Sequence, residues 1–218
     1  MQLEASETLV MTDCLGVGEP SREKAVEFTS LLIERAKEGD AAALEQIMIR
    51  YEKRVLATAW RMLGNEADAR DAAQEAFLRV HKYLKSFRTG EDFTGWLYRI
   101  VINACRDARR RSFRNRQFVS LEAELEAGSC DSLRSDDDHE AAAIRSQQQA
   151  LIRAALETLS EKERAAIVLR DLEGLATEEV ARILGSSAPT VRSQISSGRA
   201  KIKLYRDRVL KASKRGLA

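Results

Sequence analysis

The stretch from Asp68 to Leu84 restricts the fold more than any other, because its apolar residues share a surface in only one regular conformation. Ala69, Ala72, Ala73, Ala76, Phe77, Val80, Tyr83 and Leu84 recur at steps of three and four. On a helix of 3.6 residues per turn those steps stack them along one side, which the rest of the chain must cover. The opposite side carries Asp68, Asp71, Gln74, Glu75 and Lys82, with one large apolar residue, Leu78, among them. A single exposed leucine is ordinary on a folded surface. Ringed by acids and an amide, however, it has the composition of a docking surface: a desolvated centre supplies binding energy and a charged rim supplies steering.

The remainder of the chain is also read as helical, and the expected fold class is all-α. Two prolines, few aromatics and many Ala, Leu, Glu and Arg favour helix, and no segment alternates with period two for long enough to make a sheet. Residues 1–23 are read as a loose tail. A helix from about Lys24 to Lys37, with Val26, Leu31, Leu32 and Ala36 inward, is stopped by Gly39-Asp40, which also caps the next. The second helix turns Leu44, Ile47, Met48, Tyr51, Val55, Ala59 and Met62 inward until Leu63-Gly64-Asn65 breaks it. Asn65 then caps the organising helix. A loop with aromatics follows, and a helix from about Phe93 to Arg111 buries Leu97, Ile100, Val101, Ala104 and Ala108. Its other face gathers Trp96, Arg99, Asn103, Arg106 and Arg110.

Charge divides the chain. Six arginines lie between Arg106 and Arg116, against one acid; eight acids then lie between Gln117 and Glu140, against the single Arg134. The net charge of +2 hides both blocks. The acidic block reads as an extended, self-repelling linker over 116–140, separating a domain at 24–115 from a second at 141–210, with a basic tail at 211–218.

In the second domain a helix from Ala141 to Leu159 turns Ile144, Leu151, Ile152, Ala155, Leu156 and Leu159 inward. Ser160-Glu-Lys-Glu163 is a capping box, and its helix runs to about Leu172 before Gly174. Thr177-Glu178-Glu179 caps a short helix through Leu184, closed by Gly185. Ser187-Ala-Pro189 starts the last helix, on which Val191, Ile195, Gly198 and Ile202 face inward and Pro189, Arg192, Ser193, Ser196, Ser197 and Lys203 face out. Two short helices around Gly185, with a basic tail beyond them, make a helix-turn-helix whose second helix reads a major groove.

The first domain suits separated strands better than duplex. Guanidinium groups on the Arg99, Arg106 and Arg110 face suit phosphates, Trp96 offers a flat stacking surface, and Asn103 suits an unpaired base edge. On pattern alone, Trp96 equally fits a core and the arginine run a solvated face. The loop from Ser86 to Thr94 supplies a pocket for a base turned out of the stack.

Other chemistries are poorly supported. Cys14, Cys105 and Cys130 form no CxxC pair, His81 and His139 have no nucleophile at readable spacing, and no catalytic constellation or cofactor motif is present. No run is long and apolar enough to span a bilayer, so a cytoplasmic protein without membrane insertion is expected. Asp68, Asp71 and Glu75 share a helix face that suits Mg²⁺ in a nucleic-acid enzyme, but without converging ligands they read as solvated acids, and no metal site is expected. The chief rival is a stand-alone helix-turn-helix regulator of duplex DNA, which leaves Leu78 and its acidic ring without a role.

Two ordered motifs carry a family resemblance. Asp68-Ala-x-Asp71-x-x-Gln74-Glu75-x-Phe77-Leu78-x-Val80 and Phe93-x-x-Trp96-Leu97-Tyr98-x-Ile100-x-x-Asn103-x-x-x-Asp107-x-x-Arg110-Arg111 resemble region 2 of bacterial sigma factors. Leu156-x-x-Leu159-x-x-x-x-Arg164, continuing through Gly174-Leu-x-x-Glu178-Glu179-Val-Ala181 to Gly185 and Thr190-Val191-Arg192-Ser193, resembles their region 4. The layout without a third domain is similar to the extracytoplasmic-function (ECF) group. The resemblance implies that Asp68, Asp71, Gln74, Glu75, Phe77 and Leu78 dock on the clamp helices of the largest polymerase subunit; the polymerase flap is a further implied partner. It implies that Trp96, Arg99, Asn103, Arg106 and Arg110 melt and read the minus-ten element. Pro189, Thr190, Arg192, Ser193, Ser196 and Arg199 would read the minus-thirty-five element, the acidic linker would thread the RNA exit path, and an anti-sigma factor would hold the protein inactive. The family's usual Arg-Leu-His-Arg-Ala-Arg-like run is replaced here by Gln194-Ile-Ser196-Ser197-Gly198-Arg199.

Overall fold

The structure, a computed structural model, describes residues 22–88, 90–119 and 139–215, with side chains over 28–88, 90–114 and 147–212. Every regular element among them is helical: α1 (Arg22–Lys37), α2 (Ala41–Leu63), α3 (Glu66–Tyr83), α4 (Phe93–Val119), α5 (His139–Glu157), α6 (Glu161–Ile167), α7 (Thr177–Leu184) and α8 (Ala188–Arg215). A 3-10 turn, Leu84–Ser86, extends α3, and a π-helical turn, Val168–Leu172, extends α6. An earlier set, α1–α4, is followed in the sequence, beyond residues 120–138, by a later set, α5–α8. Residues 1–21 of the expected tail, 120–138 of the expected linker, Cys14, Cys130 and residues 216–218 lie outside the described residues. So do the side chains of Val26 and Ile144.

Residues up to Ile47 form one unit and those from Met48 another. In the first, Thr29, Leu32 and Ile33 are buried, whereas Leu31, expected inward, is 58% exposed. The buried stripe includes the polar Thr29, which a purely apolar period does not register. Asp40 caps α2 by accepting the Ala43 and Ala42 amides at 3.1 and 2.9 Å, and those bonds, with Arg35, hold its carboxyl below the usual range.

In the second unit, Asn65 is the N-cap of α3 as expected, its Oδ1 accepting the Asp68 amide at 2.7 Å. α3 packs on α4, and its buried side is Ala69, Ala72, Ala73, Ala76 and Val80, small enough for close approach. Tyr83, expected inward, is exposed because α3 ends there and Leu84 in the 3-10 turn takes the inward place. Asp92 starts α4 by accepting the Thr94 and Gly95 amides at 3.0 and 2.9 Å. α4 continues past its expected end at Arg111. Beyond the expected Leu97, Val101, Ala104 and Ala108 it buries Tyr98, Ile102 and Cys105, since both α3 and α7 pack on it.

The Ser160 capping box is present, with Ser160 Oγ accepting the Glu163 amide at 3.4 Å and Glu163 Oε2 accepting the Ser160 amide at 2.8 Å. Thr177 is the first residue of α7 rather than its cap. Ala176 holds the cap position, and Glu179 accepts its amide at 2.7 Å. Gly185 ends α7 with φ +62°, a conformation that favours glycine. On α8 Val191, Ile195 and Gly198 are buried and Ile202 half-buried. Leu151 and Ile152, expected inward, are exposed: α5 meets the core near its C-terminal end, through Leu156.

Candidate partner and nucleic-acid interfaces

The outer side of α3 presents Asp71, Gln74 and Leu78 to solvent, with Asp68, Glu75 and Phe77 half-buried beside them. Leu78 is 59% exposed. Glu75 accepts Arg79 Nε at 2.8 Å, and the same guanidinium reaches Asp107 of α4 at 2.9 Å. Arg79 therefore ties α3 to α4 and fixes Glu75. Its i,i+4 spacing from Glu75 was the available sequence signal. A groove of about 450 Å³ between the helices is lined by Glu75, Leu78, Arg79, Tyr83, Ile100 and Asn103, so Leu78 and Asn103 face one surface.

On α4, Trp96 is half-buried, its ring 5.2 Å from Phe87 and 5.6 Å from Phe93. Trp96, Arg99 and Asp92 face Glu179, Arg182 and Ile183 across a cleft of about 500 Å³. Arg99 donates to the Arg182 carbonyl, and Arg106 pairs with Glu161 at 3.2 Å. Arg110 is open, lining a cavity of about 760 Å³ with Arg109, Arg111, Arg114 and Phe113. Phe113, 63% exposed among these arginines, was not singled out in the sequence, although an aromatic inside an arginine run is a stacking signal.

On α8, Pro189, Thr190, Arg192, Ser193, Ser196 and Arg199 are all exposed. Ser187 starts the helix, its Oγ accepting the Thr190 amide at 3.3 Å. Arg192 pairs with Glu178 at 2.9 Å, and Arg199 grips Asp171 through two contacts of 2.9 and 2.6 Å. Exposed pairs of this kind contribute at most about 1 kcal/mol, so a phosphate readily takes either guanidinium. Ser197 donates to Glu163 at 2.6 Å and Lys201 donates to both Glu163 oxygens at 2.9 and 2.7 Å. Lys201 first, then Ser197 and the Ser160 amide, lower the Glu163 carboxyl to about 2.

One cluster was not read from the sequence at all. Glu173, its side chain 5% exposed, accepts Thr58 Oγ1 at 2.8 Å, Arg61 at 2.7 Å and the Tyr98 hydroxyl, with Arg54 at 3.8 Å. Burial, then the bond to Glu173, push the Tyr98 hydroxyl well above the usual phenol range. Nearby, Arg164 is 3% exposed and donates to the Leu156 and Met62 carbonyls at 3.0 and 2.9 Å. Apart from the bond to Leu156, these contacts join residues 75 or more positions apart, beyond any local period.

Two family models match: Sigma-70 region 2 over residues 47–115 and Sigma-70, region 4 over 149–202. The chain is 32% identical over 174 residues to the RNA polymerase sigma-H factor of Pseudomonas aeruginosa, covering 78% of this chain and 90% of that protein. It belongs to the ECF group of the sigma-70 family. The sigma factor is also 33% identical over 176 residues to the ECF RNA polymerase sigma-E factor of Escherichia coli K12, covering 79% and 91% of the two chains. The solved structure of CnrH in complex with the cytosolic domain of CnrY is similar at 26% identity and a TM-score of 0.60, over 83% of this chain and 97% of that one. As a sigma factor it binds core RNA polymerase and directs transcription initiation, without catalysing the chemistry itself. The stand-alone regulator is not favoured. No helix among the described residues is long and apolar enough to cross a membrane.

Proposed function

We propose that this sigma factor meets core polymerase through the outer side of α3 and promoter DNA through the outer sides of α4 and α8. Asp68, Asp71, Gln74, Glu75, Phe77 and Leu78 dock on the clamp helices of the largest subunit. The observation that carries this is Leu78, 59% exposed at the centre of acids on a helix whose other side is core. Asn103 shares its groove, so the docking surface runs directly into the minus-ten surface formed with Trp96, Arg99, Arg106 and Arg110. There guanidiniums hold separated strands while the indole and amide read bases.

Pro189, Thr190, Arg192, Ser193, Ser196 and Arg199 enter the major groove of the minus-thirty-five duplex, with the N-terminus of α8 towards a phosphate. In this division residues 24–115 act as region 2, 141–210 as region 4 with its flap contact, and the acidic 116–140 linker follows the RNA exit path, between the flanking segments 1–23 and 211–218. The likeness to solved sigma-factor complexes, CnrH with the cytosolic domain of CnrY among them, supports an anti-sigma partner; the family resemblance implies that it would cover these faces. A photo-cross-linking residue at position 78 should capture the largest polymerase subunit in the assembled enzyme. Capture of other subunits alone contradicts the docking assignment.

A further inference from the structure

We infer that the free sigma factor has a closed state in which region 4, latched onto region 2 by Glu173, occupies the Trp96, Arg99 and Arg106 part of the minus-ten surface. Glu173 follows the π-helical turn of region 4, yet its donors, Thr58, Arg61 and Tyr98, all belong to α2 and α4 of region 2. A carboxylate has about four acceptor sites, and two hydroxyls with two guanidiniums come close to filling them. Burying such a charge is tolerable only when it is paired, so the 5% exposed position of Glu173 exists only while the two regions are together. Desolvation offsets much of the attraction between these ions, which makes the latch specific in geometry and still breakable.

Two further contacts follow the same seam. Arg164 of region 4 donates to the Met62 carbonyl at the C-terminal end of α2, where carbonyls lack helical partners. Arg99 and Arg106, proposed above as minus-ten residues, are taken by the Arg182 carbonyl and by Glu161. Trp96 faces Glu179, an acid, across the cleft where a phosphate backbone would pass. A strand cannot engage Arg99, Arg106 and Trp96 until region 4 lifts away. The consequence for DNA rests on the minus-ten assignment; the latch itself rests on the contacts of Glu173.

The test uses the full chain with Cys14→Ser and Cys130→Ser, and paramagnetic labels at exposed positions through Arg70→Cys and Ala212→Cys. Cys105 is buried with its thiol pushed up to about 12, and does not take label at neutral pH. The parent should give a narrow distance distribution. Glu173→Lys and Arg61→Glu, which shift net charge in opposite directions, should each broaden and lengthen it with helix content unchanged. Both should tighten binding of a single-stranded minus-ten oligonucleotide about tenfold, as expected when a closed population is released. Arg61→Glu combined with Glu173→Arg should restore the narrow distribution, and Tyr98→Phe should open the chain partially. Unchanged distances in both single charge variants overturn the latch, as does oligonucleotide affinity that merely follows net charge. Opening without oligonucleotide binding by any variant supports the latch and overturns the minus-ten assignment instead.

Discussion

Gly198 of α8 lies so close to Ile167 of α6 that a β-carbon at position 198 would sit 2.8 Å from Ile167 Cγ1. A glycine inside a helix is unfavourable by about 1 kcal/mol relative to alanine. At this crossing the missing side chain is what lets α8 rest on α6, the almost wholly buried helix of region 4. The residue that looks weakest in the sequence of α8 is therefore a packing residue.

Gly198→Ala should destabilise the protein despite its better helix propensity, by roughly 1–2 kcal/mol, because Ile167 or the helix must shift. Urea unfolding measures the loss. Combined with Ile167→Ala, the cost should be clearly less than the sum of the two single changes. A stabilising Gly198→Ala would contradict the close crossing.

Leu78→Ala should leave the unfolding midpoint nearly unchanged, since the side chain is mostly in solvent, and weaken association with core polymerase by about 2 kcal/mol. Charge reversal at Asp71 should act in the same direction, more strongly at low salt. Titration of core polymerase with labelled sigma factor checks both, and unchanged affinity would return Leu78 to an ordinary exposed leucine.

Arg106→Ala together with Arg110→Ala should slow opening of a double-stranded promoter at least about tenfold, the scale of losing one or two charge-assisted contacts. Initiation from a promoter already unpaired over the minus-ten element should suffer much less. Equal loss on both templates would argue against a melting role.

The Glu163 carboxyl, lowered to about 2 from an ordinary value of 4.5, ties region 4 stability to acid pH. Because the folded value lies below the unfolded one, its contribution is fully present above about pH 5 and is lost as pH falls towards 2, up to roughly 3 kcal/mol. Unfolding free energies between pH 6 and 2.5 should fall more steeply for the parent than for Glu163→Gln. Parallel curves would mean that the Lys201 and Ser197 contacts do not hold the charge.

Several local signals were legible in the sequence where a single element determines the outcome, although the cap of α7 fell one residue before the expected Thr177. The Asn65 cap, the Ser160 capping box, the Gly185 stop and the inner side of α8 depend on a few neighbouring residues. Leu151 and Ile152 illustrate what a period cannot decide, since helical spacing shows which residues share a side but not how far along the helix a neighbour reaches. Tyr98, Ile102 and Cys105 were missed because α4 is covered on two sides, and a single-stripe pattern assigns it only one. On α3 and α8 the exposed candidate residues emerged together. Glu173 had no comparable signal: in sequence it is an acid before a glycine, and its meaning depends on four residues brought from α2 and α4.

The most direct measurement is to mix the purified protein with core RNA polymerase that lacks any sigma factor, and to assay transcript from a fragment upstream of its own gene. A stable complex that starts transcription at a defined position, and loses most of that activity with Leu78→Ala, is the predicted result. Absence of a complex, with duplex DNA binding retained, would contradict the sigma-factor account of this chain.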